Sequence, residues 1–299
     1  MKVLLTGAAG QLGQALQQQV PVGVELIATG RGELDLSDPA SCHAAVVRHR
    51  PDWVLNAGAY TAVDRAESES ELAYAVNGGA PRAFAEALVE TGGRLLQLST
   101  DFVFGGQQGI PYSPDQPRQP LGVYGASKAA GEEAVEQVLG ASGRGVILRT
   151  SWVMGPVGKN FALTMLRLHR ERGAGGQSLG VVADQVGCPT STHTLAGACW
   201  RLLEKAVADP AAVLLPVLHW SDAGVASWYD VAIAVGELGL ELGLLSHTAP
   251  VRPLTTAEYP LPAQRPSYSL LDCSVTRQRL ELEPQHWRQA LRQVLQALG

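Results

Sequence analysis

Nowhere does the chain hold an apolar run of the roughly 18 residues a membrane-spanning helix needs, so no membrane association is expected. Met1–Thr6 is too short for the apolar region of a secretory signal and leads straight into a glycine loop. Cysteine is sparse. Cys42, Cys188, Cys199 and Cys273 are far apart and make no CxxC pair, which argues against a disulfide framework and for free thiols in a reducing cytoplasm. The seven histidines form no HExxH or similar cluster, so no metal site is expected. Basic residues are outnumbered, 23 Lys and Arg against 28 Asp and Glu, for a net charge of -5. A general nucleic-acid binder needs a basic face to neutralise phosphates, so no nucleic-acid partner is expected. An anionic small molecule is still admitted, because local basic groups can serve one pocket.

What is present is an ordinary globular composition, 46% hydrophobic and 17% charged over 299 residues, enough for one large domain or two modest ones. Val3–Leu5, Glu25–Ala28, Trp53–Asn56, Leu95–Ser99 and Val146–Arg149 read as short strands, apolar throughout or nearly so. Helical stretches separate them, among them Gln11–Val20 and Pro39–His49. Strands apolar on both faces and separated by helices predict a parallel sheet covered on both sides. That is an α/β fold, a doubly wound, Rossmann-type sheet. Beyond about Thr150 the pattern loosens into a smaller, less regular C-terminal lobe. There Asn160–Arg172 reads as an amphipathic helix, Pro250–Pro266 as a loop, and Trp287, Leu291, Val294, Leu295 and Leu298 as the packed face of a terminal helix.

The first strand runs into Gly7-Ala8-Ala9-Gly10-Gln11-Leu12-Gly13, and a helix follows. Gly7 permits the tight turn, Gly10 lets backbone amides approach a pyrophosphate, and Gly13 allows close packing of helix on strand. The helix N-terminus adds amide donors and partial positive charge. This predicts dinucleotide binding by residues 1–150, leaving 151–299 mainly as a substrate lobe, with some segments returning to the first domain. A P-loop is unsupported, since Gly158-Lys159 is followed by Asn160 rather than Ser or Thr. After the second strand, Arg31 is placed to meet a 2′-phosphate, favouring NADPH while leaving NADH open. Asp35 and Leu36 would reach the adenine end, although Asp35 could instead cap the helix near Pro39.

Tyr124-Gly125-Ala126-Ser127-Lys128 puts Tyr and Lys at i and i+4, on one helix face. A lysine ammonium beside a phenol, whose pKa is ordinarily about 10, favours the tyrosinate and lowers that pKa. The pair can then protonate an alkoxide as hydride arrives. Ser99-Thr100-Asp101 follows a strand expected to end beside the cofactor, so Thr100 can donate a hydrogen bond to the reacting carbonyl. Gly125-Ala126-Ser127-Lys128-Ala129 lacks the second glycine of a nucleophile elbow, which argues against a serine hydrolase.

The chain resembles the dTDP-4-dehydrorhamnose reductase family, within the extended short-chain dehydrogenases, over essentially its whole length. The glycine loop carries this likeness, with Asn56–Asp64, Ser99–Phe104 (STDFVF), Tyr124–Lys128, Arg149–Val153 (RTSWV), Asp184–Thr190 (DQVGCPT) and Pro262–Pro266 (PAQRP). The resemblance implies NADPH- or NADH-dependent reduction of the C4 keto group of a dTDP-sugar by a cytoplasmic monomer or homodimer. It implies Tyr124 as proton donor, Lys128 as its partner and a nicotinamide-ribose contact, and Thr100 and Asp101 facing the sugar. Trp152 would line the hexose site and Arg265 would clamp the substrate diphosphate. Gly10, Gln11, Leu12, Asp35, Leu36, Gly58, Ala59 and Tyr60 match the family's cofactor contacts.

Some residues depart from the family pattern. Gly58 stands where alanine is usual, Phe102 where tyrosine is common, Met154 where an aromatic is common, and Gln264 where arginine is usual. Ala15 and His193 occupy positions where some relatives carry acidic residues tied to magnesium, so no metal is expected. Arg149 is expected to hold buried carbonyls, Asp184 and Gln185 to hold a loop between lobes, and Asp64, Glu67, Glu69 and Glu71 to form a solvated helix face. Two rivals stay open at this point: an epimerase or other keto-sugar reductase, and a non-catalytic subunit such as the β regulatory subunit of methionine adenosyltransferase.

Overall fold

A computed structural model describes residues 1–209 and 216–299. Its six-stranded parallel sheet comprises β1 (Lys2–Thr6), β2 (Glu25–Thr29), β3 (Trp53–Asn56), β4 (Arg94–Thr100), β5 (Gly145–Thr150) and β6 (Val217–His219), in the order β6-β5-β4-β3-β1-β2. The main helices are α1 (Gln11–Gln18), α2 (Pro39–His49), α3 (Ala80–Thr91), α4 (Val123–Leu139), α5 (Phe161–Gly173), α6 (Thr192–Ala208), α7 (Trp228–Glu241) and α8 (Trp287–Gln296).

The strand alternation explains the two-sided burial. Val3, Leu5, Trp53, Leu55, Leu96 and Leu98 face α1 and α6, while Leu4, Val54, Leu95 and Ile147 face α2, α3 and α4. Each such large side chain contributes about 1.5–3 kcal/mol when fully buried. Local signals agree with this packing: Asp38 caps α2 by accepting from Ala40 N at 3.0 Å, and Pro39 takes the first helical position.

Two segments beyond Thr150 join this sheet layer. β6 pairs with β5, and α6 packs along α1, where Trp200 Nε1 donates to Leu16 O at 3.0 Å. A separate core gathers α5, α7 and α8. The stretch Pro250–Pro266 is more ordered than its prolines suggest. Val251–Leu254 is a strand, pairing in parallel with Leu179–Val182, and Thr256–Glu258 is a 3₁₀ turn closed by a Thr255/Glu258 capping box. Among the described residues no helix is long and apolar enough to cross a membrane.

β1 lies between β2 and β3, so the winding reverses there. A crevice opens beyond the carboxyl ends of β1 and β3, the place where open α/β sheets take ligands.

Candidate active site

The loop leaving β1 makes one end of the crevice. Gly7 has φ +67°, and a Cβ there would lie 2.6 Å from Gly58 Cα. A Cβ on Gly13 would lie 2.2 Å from Gly7 O. Only bare backbone lets the β1 loop, the β3 loop and α1 come this close. No acid occupies the first turn of α1, so its free amides stay attractive to an anion.

The resulting cleft, about 560 Å³, is lined at this end by Gly7, Gly10, Gln11, Leu12 and Gly13. Arg31, Asp35 and Leu36 stand along one side, Gly58 and Ala59 lie between, and Tyr124 and Lys128 close the other end. The small residue at position 58 has a use. A Cβ there would sit 2.3 Å from Leu36 Cδ1, so glycine gives Leu36 its room. Asp35 does not cap α2: it accepts from Ser37 N and Oγ at 2.9 and 2.7 Å, bonds that hold its carboxyl below the usual range.

Gln11 looks outward as well as inward. Its Oε1 accepts from Gly155 N at 3.0 Å and from Asn160 Nδ2 at 2.7 Å, pinning the segment that caps α5. Tyr60 is not on the cleft wall; its neighbour Thr61 is. Tyr60 is buried, donating its hydroxyl to Glu69 Oε2 at 2.6 Å and its backbone N–H to Asn77 Oδ1 at 2.9 Å.

β4 ends at Thr100, and Asp101–Val103 turns the chain toward α4. Tyr124, in the first turn of α4, is half-buried and packs edge-on against Phe102 at 5.4 Å. Burial pushes its phenol up to about 12, with the Thr100 hydrogen bond pulling it back and Asp101 pushing the same way as burial. This is the opposite of the shift expected from Lys128. That ammonium is buried and donates to Leu98 O at 2.6 Å, and burial brings its pKa down to about 8 against the upward pull of Glu132.

Thr100 donates to Asp101 Oδ1 at 3.0 Å and accepts from Phe102 N at 3.1 Å. Asp101, 2% exposed, is raised to about 6 by burial, with Ser269 and Thr100 drawing it back. Asp101 and Thr100 are thus joined by a hydrogen bond beside Tyr124, behind the cleft.

A second cleft, about 840 Å³, lies on the C-terminal side and is lined in part by Phe161, Gln185, Trp228, Thr256, Tyr259 and Arg265. Trp152 is one of few non-glycine residues with positive φ, +46°, and its ring stacks on Trp228 at 3.6 Å. A bulky residue held there needs tight surroundings and is found at functional sites. Trp228 donates from Nε1 to Gln185 Oε1, and Gln185 in turn donates to Thr256 Oγ1. Asp184 accepts from Thr256 N and Oγ1, so this acid and Gln185 together brace the strap beyond Leu254. Arg265 is in an ion pair with Asp64.

Sequence reasoning missed several residues here. Trp228 carried a signal: Ser227 and Asp230 form a capping box that fixes it at the start of α7. Asn77 sits in a π-helical turn, Ala75–Gly79, a frequent marker of functional sites, and joins Tyr60 O to Ser127 Oγ beside the Tyr–Lys pair. The acidic run is not a simple solvated face. Asp64 reaches Arg265, Glu69 binds Tyr60 and Arg65, and Glu67 Oε1 accepts from Val123 N at 2.9 Å. That last bond caps the helix carrying Tyr124 and Lys128, where Gly122 offers no side chain. Arg149 is buried against the carboxylate of Glu132 more than against carbonyls. Among the described residues no three His, Cys, Asp or Glu side chains gather to hold a metal ion.

The chain as a whole is similar to known proteins. A family model described as the RmlD substrate binding domain matches residues 1–299. The chain belongs to this family. Its relatives include a dTDP-4-dehydrorhamnose reductase of Streptomyces griseus, 43% identical over 99% of this chain and 93% of that protein. A Streptomyces antibioticus protein named "Probable dTDP-4,6-dihydroxy-2-methyloxan-3-one 4-ketoreductase" is 40% identical over 98% of this chain and 94% of its own length. The crystal structure of a Bacillus anthracis dTDP-4-dehydrorhamnose reductase in complex with NADP superposes with a TM-score of 0.87, at 32% identity and 98% coverage of both chains.

Proposed function

We propose that this member of the RmlD family reduces the C4 keto group of dTDP-4-dehydro-L-rhamnose to dTDP-L-rhamnose, using NADPH. The observation that carries the reading is the joining, in one cleft, of a glycine cradle at α1 to Tyr124 and Lys128, with Thr100 behind them. The cradle fits a dinucleotide, because Gly7 and Gly13 leave no room for a Cβ and the α1 amides face the anion's place. When bound, the reduced nicotinamide supplies hydride. Thr100 turns its hydroxyl from Asp101 to the substrate carbonyl, and Tyr124 gives its proton to the oxygen that becomes alkoxide. A phenol kept protonated by burial suits this direction of reaction, because an alkoxide is a far stronger base than a phenolate. Lys128 keeps a positive charge beneath the proton donor. On this reading residues 1–150 hold the cofactor and 151–299 mainly the sugar nucleotide, with Asp101, Trp152 and Arg265 on the substrate side. The net charge supports the absence of a nucleic-acid partner and the four buried free thiols support a reducing cytoplasm, where the enzyme would act as a monomer or homodimer.

The deciding assay follows nicotinamide absorbance with NADPH and enzymatically generated dTDP-4-dehydro-L-rhamnose. Oxidation of NADPH with dTDP-L-rhamnose as product establishes the reading. Inertness to this sugar, with turnover of another dTDP-4-keto sugar, would assign a sister reaction. The Streptomyces antibioticus relative, with Phe102 and Met154 in this chain, makes that the second reading.

Arg31 carries the cofactor choice. It is exposed on the cleft wall, and a charge-assisted bond to a 2′-phosphate is worth about 1.5–3 kcal/mol. Arg31→Glu is therefore expected to raise the KM for NADPH about tenfold or more while changing that for NADH little. Equal effects on both cofactors would remove Arg31 from this role.

A further inference from the structure

We propose that Asp64 is a positioning residue for substrate binding: it holds Arg265 so that one face of the guanidinium stays presented to an anionic oxygen of the substrate diphosphate. This rests on the reading above and extends it to a residue of the first domain that touches the strap directly.

Asp64 stands in the short helix Val63–Ala66 that follows β3, whereas Arg265 lies 201 residues later, on the strap lining the second cleft. The two meet through a paired contact, Nη1 to Oδ1 at 3.0 Å and Nη2 to Oδ2 at 2.8 Å. The same carboxylate accepts from Ala263 N at 3.3 Å, and Arg265 Nη1 also donates to Ala263 O at 2.9 Å. One acid thus fixes both the side chain and the backbone of the strap. The Arg265 hydrogen bond holds Asp64 below its ordinary carboxylate value, so the anchor is ionised in the neutral range.

The geometry leaves part of Arg265 unused. A guanidinium has five N–H donors in two forks. Asp64 takes the end-on fork, between Nη1 and Nη2, and no hydrogen bond from Nε is found among the described residues. The side-on fork, Nε–H with the second Nη2–H, is the one that can grip a phosphate oxygen in two-point fashion. Arg265 is 18% exposed at its side chain, already partly desolvated and without rotational freedom to lose on binding. With glutamine at 264, no neighbouring cation in the PAQRP segment shares the task.

The test is a cycle of Asp64→Asn, Arg265→Met and the double variant, assayed for NADPH oxidation with the dTDP-4-keto sugar and for dTDP binding by calorimetry. Asn keeps the size and one acceptor oxygen but loses the charge. Expected for Asp64→Asn is a KM for the sugar nucleotide raised about five- to tenfold, with kcat within twofold. The KM for NADPH should be unchanged, and dTDP affinity should fall by the same factor as the KM rises. Arg265→Met should cost more, and the double variant no more than Arg265→Met alone, because Asp64 acts through Arg265. Asp64→Glu should recover part of the loss. Three results overturn the proposal: a KM within twofold of wild type, a lowered KM, which would make Asp64 a competitor of the diphosphate, or effects that multiply in the double variant. Absence of turnover in the wild type would instead strike the proposed reaction.

Discussion

Replacing Tyr124 by Phe should lower kcat for the keto-sugar reduction by about 10³-fold, the scale of a lost general acid. The change removes one oxygen and leaves the ring. The edge-on contact with Phe102 survives, and the cradle at Gly7–Gly13 lies at the other end of the cleft, so NADPH affinity should stay within about twofold. Thr100 cannot stand in for the missing acid. On the proposed reading its hydroxyl turns from Asp101 Oδ1 to polarise the carbonyl, but an aliphatic alcohol is a far weaker acid than a phenol and a poor proton donor. Turnover within tenfold of wild type would show that another group delivers the proton, with Asp101 next in line, since burial raises it to about 6 and its charge acts on Tyr124.

The same site fixes the shape of the pH profile. Burial lowers Lys128 to about 8, so its ammonium is present below that pH and lost above it. In the free enzyme, which kcat/KM for NADPH reports, the alkaline limb should therefore bend near pH 8 rather than near 12, the range of the buried phenol.

The sheet was legible because its strands are buried on both faces, so Trp53–Asn56 and Pro39–His49 appear in the residue pattern with their observed boundaries. Local chemistry sufficed for these: apolar runs, Asp38 as cap, Pro39 at the first turn. The glycine cradle was legible for a similar reason, since close approach at Gly7 and Gly13 dictates residue type directly. The C-terminal side was read less well because its order comes from distant partners. Val251–Leu254 becomes a strand only by pairing with Leu179–Val182, across a segment whose prolines suggest a loop. Asp64 and Glu67 look like surface acids until the fold brings Arg265 and Val123 to them. The phenol of Tyr124 was misjudged on the same ground: spacing put Lys128 on its helix face but could not show the Leu98 carbonyl that takes the ammonium.

That dependence on distant partners is strongest beneath α4, where Glu132 is wholly buried, one turn beyond Lys128. It accepts from Arg149 Nε at 2.9 Å and Nη2 at 2.7 Å, and from Arg118 Nε at 2.6 Å. Glu132→Gln should destabilise the protein by about 3–5 kcal/mol, because it strands the buried Arg149 charge. Neighbours cannot absorb that charge. Arg149 Nη1 also meets Pro114 O at 3.2 Å and His219 Nε2 at 3.3 Å, but the carbonyl is neutral and His219 is driven down to about 3 by burial, so both offer only neutral acceptors. For a chain of this length the loss corresponds to a melting temperature lower by roughly 5–8 °C. Arg118 is less affected, being partly exposed and still paired with Glu136. Adding Arg149→Met should therefore recover much of the loss, since removing both partners of a buried pair costs less than removing one. Activity provides the second readout. Glu132 supports the charge of Lys128, so its loss should move the alkaline limb of kcat/KM to lower pH, and the double variant should not restore it. A single variant that melts within two degrees of wild type would mean that water reaches Arg149. A limb that does not move would separate the buried ion pair from Lys128.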